Sequence, residues 1–231
     1  MFRRTAVVMG AVAIGLLLFF SSRAIAGSGE EAKVHTSISV IREIMAIPES
    51  AIPPSLLQNA YGIAIFPDLF KAGFIVGGRY GVGIMVVRTP DRSWSNPVFF
   101  SIVGPSVGFQ IGAQVSDIVL VFNTVRSLDS ITGGKFTLGV DASIAAGPVG
   151  RHAEAGTDVR LRAEILSYSR SRGLFAGVAL EGAAMQVDYG ANSAFYNAPG
   201  LLPMEIFQNR SLQAPVVAAD LRNALDYYSR Q

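Results

Sequence analysis

The chain has 231 residues, half of them apolar, a formal net charge of +2 and no cysteine. That length and apolar content suffice for one domain with a real hydrophobic core, while the missing cysteines exclude disulfides and a thioether-linked lipid anchor. Duplex binding would need a marked cationic surplus, so nucleic acid is not an expected partner.

Residues 1–26 read as a secretory signal, with Arg3 and Arg4 at the start, an uncharged apolar run from Ala6 to Phe20, and Ala24-Ile25-Ala26 as a small-x-small cleavage site. The apolar run is shorter than the roughly 20 residues that a spanning helix needs. Cleavage would leave residues 27–231 as a single domain in the periplasm or otherwise exported, peripheral to the cell envelope. It would remove three arginines and no acid, taking the net charge from +2 to about −1. Any anion recognition must then be local.

Ser28-Gly29-Glu30-Glu31 fits a capping box, and a helix is expected from about Glu30 to Ala46. Val34, Ile38, Ile41 and Met45 recur on one face, with Lys33, Ser37, Arg42 and Glu43 elsewhere around the cylinder. A helix packed on its own domain is the favoured reading of that stripe, because membrane-surface helices usually carry many more cations. Pro48 ends the helix, and Pro53-Pro54-Ser55 can open a short one through Ala60.

From Tyr61 onward the pattern is extended. Thr89-Pro90-Asp91-Arg92-Ser93 has the chemistry of a hairpin turn, and Asp117 to Phe122, apolar on both faces, suits a central strand. Gly104, Gly108 and Gly112 would share one strand face and admit a close neighbour. Phe136 to Ala146 alternates as one half-buried strand, and Val159 to Ile165 as another. Pro215 opens a final helix striped by Val217, Leu221, Leu225 and Tyr228. The expected fold class is α+β: a mainly antiparallel, curved or barrel-like sheet covered by amino- and carboxyl-terminal helices.

Catalytic signatures are weak. Gly104-Pro105-Ser106-Val107-Gly108 matches the G-x-S-x-G elbow, with Asp129, Asp141 and His152 following in hydrolase order. The elbow needs a helix directly after the serine, and Phe109-Gln110-Ile111-Gly112-Ala113 offers no helix start. His35 and His152 lie far apart and no oxygen-rich calcium loop is present, so no metal or other cofactor is expected. Thr132-Gly133-Gly134-Lys135-Phe136 lacks the first glycine and the Ser/Thr of a phosphate loop. What remains is a possible anion site. Lys71 and Arg79 share strand parity, Gly73, Gly77 and Gly78 let backbone amides approach, and Arg151 follows a Gly-Pro turn from which it could join them.

Lys71-Ala72-Gly73-Phe74-Ile75-Val76-Gly77-Gly78-Arg79-Tyr80-Gly81-Val82-Gly83 with Trp94-Ser95-Asn96-Pro97, Gly147-Pro148-Val149-Gly150-Arg151 and Tyr168 to Phe175 resembles the SYLF domain, over about Pro53 to Tyr196. The resemblance implies a non-enzymatic, membrane-associated module that binds phosphoinositides or other anionic lipids, partly through an amphipathic amino-terminal helix. On this sequence Lys71, Arg79, Val34, Ile38, Ile41 and Met45 are the matching positions. The export signal, the lack of an adaptor domain and the few helix cations argue against phosphoinositides and actin, the ligands of eukaryotic members, and for anionic phospholipid of the envelope. A small outer-membrane β-barrel is the alternative, and a serine hydrolase using Ser106 is a remoter one.

Overall fold

Six apolar or small side chains, Val34, Ser37, Ile38, Val40, Ile41 and Ile44, wind onto one face of the first helix and are buried there. This helix, α1, spans residues 28–45 in a computed structural model that describes residues 28–48, 51–129, 131, 134–149, 163–171, 174–176, 180–209 and 211–230. The other helices are α2 (Pro54–Asn59), α3 (Val125–Asp129), α4 (Tyr189–Tyr196), α5 (Pro203–Gln208) and α6 (Val216–Tyr228). Pro54 opens α2, where its missing N–H costs nothing. α6 buries Val217, Leu221 and Leu225, and Tyr228 packs partly against the core, as the carboxyl-terminal stripe requires.

The sheet is curled and mostly antiparallel, so the fold is α+β. Its strands are β1 (Gly62–Val87), β2 (Val98–Phe122), β3 (Lys135–Thr137), β4 (Ile144–Ala146), β5 (Ile165–Ser171), β6 (Leu174–Ala176) and β7 (Ala184–Val187). Their order is β3-β7-β2-β5-β4, with β1 on the second edge of β2 and β6 on β5. β1 and β2 form one long ribbon through the expected turn: Thr89 Oγ1 donates to the Ser93 carbonyl at 2.9 Å, and the Ser93 amide donates to Asp91 at 3.3 Å. Ile118 to Phe122 are buried on both faces, flanked by β1 and β5, as a central strand should be.

β1 does not run straight. Asp68 takes a left-handed φ of 55° at a register shift between Phe66 and Leu69, and a second shift falls between Phe74 and Ile75. The ribbon folds back there, so that its two arms pack face to face. Gly77 lies against Ala72 and Gly73, Gly81 against Leu69, and Gly83 against Ile65 and Phe66. At the base the Arg88 amide donates to the Tyr61 carbonyl at 2.8 Å, which brings the two ends of β1 together. At Gly77 and Gly83 glycine is required because a Cβ would overlap the opposite arm, and at Gly81 a Cβ would crowd Leu69.

Helices and sheet share one core, in which Ile41, Phe66, Trp94, Phe122 and Leu221 are fully or almost fully buried. The sheet therefore packs on helices of its own chain, and among the described residues the strands do not close into a barrel.

Two sequence expectations need correction. Phe136 to Ala146 is not one strand: the chain turns at residues 139–141, with Gly139 at a φ of 81° and the Thr137 amide donating to Asp141 at 2.6 Å, and separates β3 from β4. β4 then pairs parallel to β5. Of the strand expected over Val159 to Ile165, the structure describes only the end, where β5 begins.

Candidate functional site

The other edge of β2 is taken by β7 at residues 100–103 and by β5 at residues 117–122. Between them, residues 104–116 pair only with β1 among the described residues, so the folded ribbon projects from the sheet as a two-stranded tip. Alternation then assigns its faces. On the outer face Phe70 stands opposite Val115, and Tyr80 opposite Val103. These residues are 46%, 51%, 54% and 45% exposed, and Val76 at the bend is 68% exposed. Apolar side chains thus face outward where a soluble sheet places polar ones, and β1 and β2 carry no charge from Ala72 to Gly78 or from Gly104 to Ser116.

The inner face carries the cations. Lys71 and Arg79 share parity with Gly73, Gly77 and Gly81, whose missing Cβ atoms face the opposite arm. They sit on opposite arms, in the span between the Gly77–Ala72 and Gly81–Leu69 crossings. Arg79 Nε donates to the Pro105 carbonyl at 2.9 Å, which braces the guanidinium across the ribbon, and burial lowers its pKa from the ordinary arginine value. Lys71 is half-buried beside Gln114, its cross-strand partner. Parity in the sequence placed Lys71 and Arg79 on one side; Arg151 lies outside the described residues.

The helix positions are different, and the expectation that they contact lipid is corrected. Val34 and Ile41 are 0% exposed and Ile38 3%, while Met45 packs partly against the same core. The stripe is consumed by packing, as the favoured sequence reading held, and has no free apolar surface to offer a membrane. α1 is also tied down by charge. Arg170 of β5 pairs with Glu43 of α1 and, at 3.5 Å, with Asp117 of β2. Asp117 in turn accepts the Asp68 amide at 3.1 Å, which fixes the bulge at the root of the tip. Burial raises the Asp117 carboxyl above its ordinary pKa, against that hydrogen bond and nearby Lys33.

Ser106 is 3% exposed in the middle of β2, its hydroxyl 3.5 Å from the Gly78 carbonyl, and the chain continues as strand. The strand-to-helix turn of a nucleophile elbow is therefore not formed there. His152 and Thr132-Gly133 fall outside the described residues, and among those described no cluster of His, Asp or Glu is placed to hold a metal ion. His35 lies exposed on α1.

A family profile described as "Ysc84: Las17-binding protein actin regulator" matches residues 103–228. This chain belongs to the SYLF (Ysc84) family. The human SH3 domain-containing YSC84-like protein 1 is 38% identical over 175 residues, 73% of this chain and 51% of that protein. Its Xenopus laevis counterpart is 36% identical over 185 residues, 80% of this chain and 55% of that protein. LAS seventeen-binding protein 3 of Saccharomyces cerevisiae is 40% identical over 151 residues, 64% of this chain and 33% of that protein. The SYLF chain thus spans about half the length of the animal relatives it matches. The feature of this SYLF domain that sequence reading missed is the outward apolar face. Its signal was there: Phe70, Val76, Tyr80 and Val82 are all even-numbered, opposite glycines and cations at odd positions.

Proposed function

We propose that this SYLF domain is a non-enzymatic module that associates with anionic phospholipid membranes through the tip of its β1–β2 ribbon. The observation that carries the reading is the pairing of an exposed apolar face, Phe70, Val76, Tyr80, Val103 and Val115, with Lys71 and Arg79 at the same tip. Apolar side chains would enter the interfacial layer while the cations meet phosphate oxygens, a division of labour common to peripheral membrane proteins. A buried α1 takes no part. With the secretory signal expected at residues 1–26, the protein would act after export at the periphery of the envelope.

Flotation with neutral and anionic vesicles across a salt series tests it. Binding to anionic vesicles that weakens with salt, and that falls in Lys71→Ala with Arg79→Ala, is expected. Phe70→Ser with Tyr80→Ser should lower binding at every salt concentration. Equal recovery with neutral vesicles, or binding unchanged in both double variants, rejects the site. A protein partner is the second reading, favoured by the family description and by the name of the yeast relative. In that case the same apolar face would dock a protein and vesicle binding would be absent.

A further inference from the structure

One face of β2 changes its surroundings at Asp117. Val115, Asp117, Val119 and Val121 alternate onto the same side of the strand. Val115 is exposed at the tip, whereas Val119 and Val121 are fully buried in the core that α1 shares. Asp117 therefore stands at the seam between the exposed and the covered parts of an otherwise aliphatic row, with its side chain 14% exposed. Residues two apart on a strand are about 7 Å apart, and the screening length at physiological salt is about 8 Å. A surface that touches Val115 thus feels the charge on Asp117.

Charged groups meet this carboxylate from three elements. Asp68, on the β1 bulge, donates its amide to it at 3.1 Å and adds a second negative charge beside it. Arg170 of β5 pairs with it at 3.5 Å. From α1, Lys33 acts on it electrostatically, and Glu43 pairs with the same Arg170. When all are ionised, Lys33, Arg170, Asp68, Glu43 and Asp117 carry a net −1 beside the +2 of Lys71 and Arg79. Proton uptake by Asp117 makes the seam neutral. The hydrogen bond from the Asp68 amide survives it, because a protonated carboxyl keeps an acceptor oxygen. Burial already holds this carboxyl above the ordinary aspartate range, so uptake begins at a higher pH than for a solvated aspartate.

We propose that Asp117 makes the ribbon tip acid-responsive, its loss of negative charge strengthening association with anionic phospholipid. This rests on the membrane reading of the tip and names its regulation. One charge near an anionic membrane surface changes partitioning by about five-fold.

The test is partitioning of the purified full chain onto phosphatidylcholine vesicles and onto mixed phosphatidylcholine–phosphatidylglycerol vesicles, at about pH 7 and at about pH 4, near the ordinary Asp value. Melting curves at each pH verify that every protein is folded. The parent should bind mixed vesicles more tightly at the lower pH. Asp117→Asn should bind them about five-fold more tightly than the parent at pH 7 and close to equally at the lower pH. Asp91→Asn removes a carboxylate from the turn that follows β1 and should match the parent at pH 7, which separates a charge at the seam from a change in net charge. Salt-sensitive binding to mixed vesicles that is the same for the parent at both pH values, or the same for the parent and Asp117→Asn at pH 7, overturns the role of Asp117 and leaves the tip reading standing; so does an equal gain in Asp91→Asn. No preference for mixed over neutral vesicles in any of the three proteins at either pH overturns the tip reading, and the role of Asp117 with it.

Discussion

Gly83 faces the carbonyl of Ile65 so closely that a Cβ built on it would lie 2.1 Å from that oxygen and 2.7 Å from Phe66 Cδ1. The two residues belong to one strand, β1, and meet because the ribbon folds back on itself. Gly83→Ala should cost about 3 kcal/mol, the upper end of ordinary overpacking. Gly78→Ala, whose nearest neighbour would be 4.0 Å away, should change stability by less than about 0.5 kcal/mol. Urea unfolding of the two variants checks the pair, and equal stabilities would contradict the face-to-face packing.

Asn192 of α4 is 1% exposed and clamps the sheet to the helix. Its Oδ1 accepts the Phe99 amide at 2.9 Å, and its Nδ2 donates to the carbonyls of Phe99 at 3.2 Å and Asp188 at 2.8 Å. Asn192→Ala leaves the buried Phe99 N–H without an acceptor and should cost about 2–3 kcal/mol, most of it the desolvation of that group. Thermal unfolding would show the loss, and hydrogen exchange at the Phe99 amide would speed up.

Tyr168 runs the other way. Its ring is buried against Gly147, its hydroxyl has no hydrogen-bond partner among the described residues, and burial pushes the phenol pKa up. Removing an unsatisfied hydroxyl while keeping the ring should stabilise the protein by about 1 kcal/mol. Tyr168→Phe with a lower urea midpoint than the parent would contradict this.

Asp117 gives a pH-dependent prediction. Burial raises its folded pKa above the unfolded value, so its contribution is most favourable at low pH and is lost as pH rises through the folded value. Asp117→Asn keeps an acceptor for the Asp68 amide and removes the buried charge. The variant should melt higher than the parent at pH 7, and the difference should vanish below about pH 3.9, the unfolded carboxyl value. A variant less stable at pH 7 would mean that the Arg170 pair outweighs desolvation.

Much of the fold was legible because local patterns report burial. The stripes of α1 and α6, the turn chemistry at Thr89 to Ser93 and the doubly apolar run Ile118 to Phe122 all appear where the periodicity places them. Residues 184–208 were not read as β7, α4 and α5, since these elements are only four, eight and six residues long. Elements that short have no period to detect, and they are held by partners distant in sequence, as Asn192 is by Phe99.

The sequence by itself determined the family and the α+β class, since motif and alternation are properties of neighbours along the chain. Only the tertiary structure decided which apolar surfaces stay available. Periodicity favoured a core position for the α1 stripe, and the fold supplied the partners that took up Val34, Ile38 and Ile41. Phe70, Tyr80 and Val103 instead stay exposed, because the tip projects beyond the described strands and helices. Hydrophobicity states that a side chain favours burial; which partner provides it depends on contacts that form only when distant segments meet.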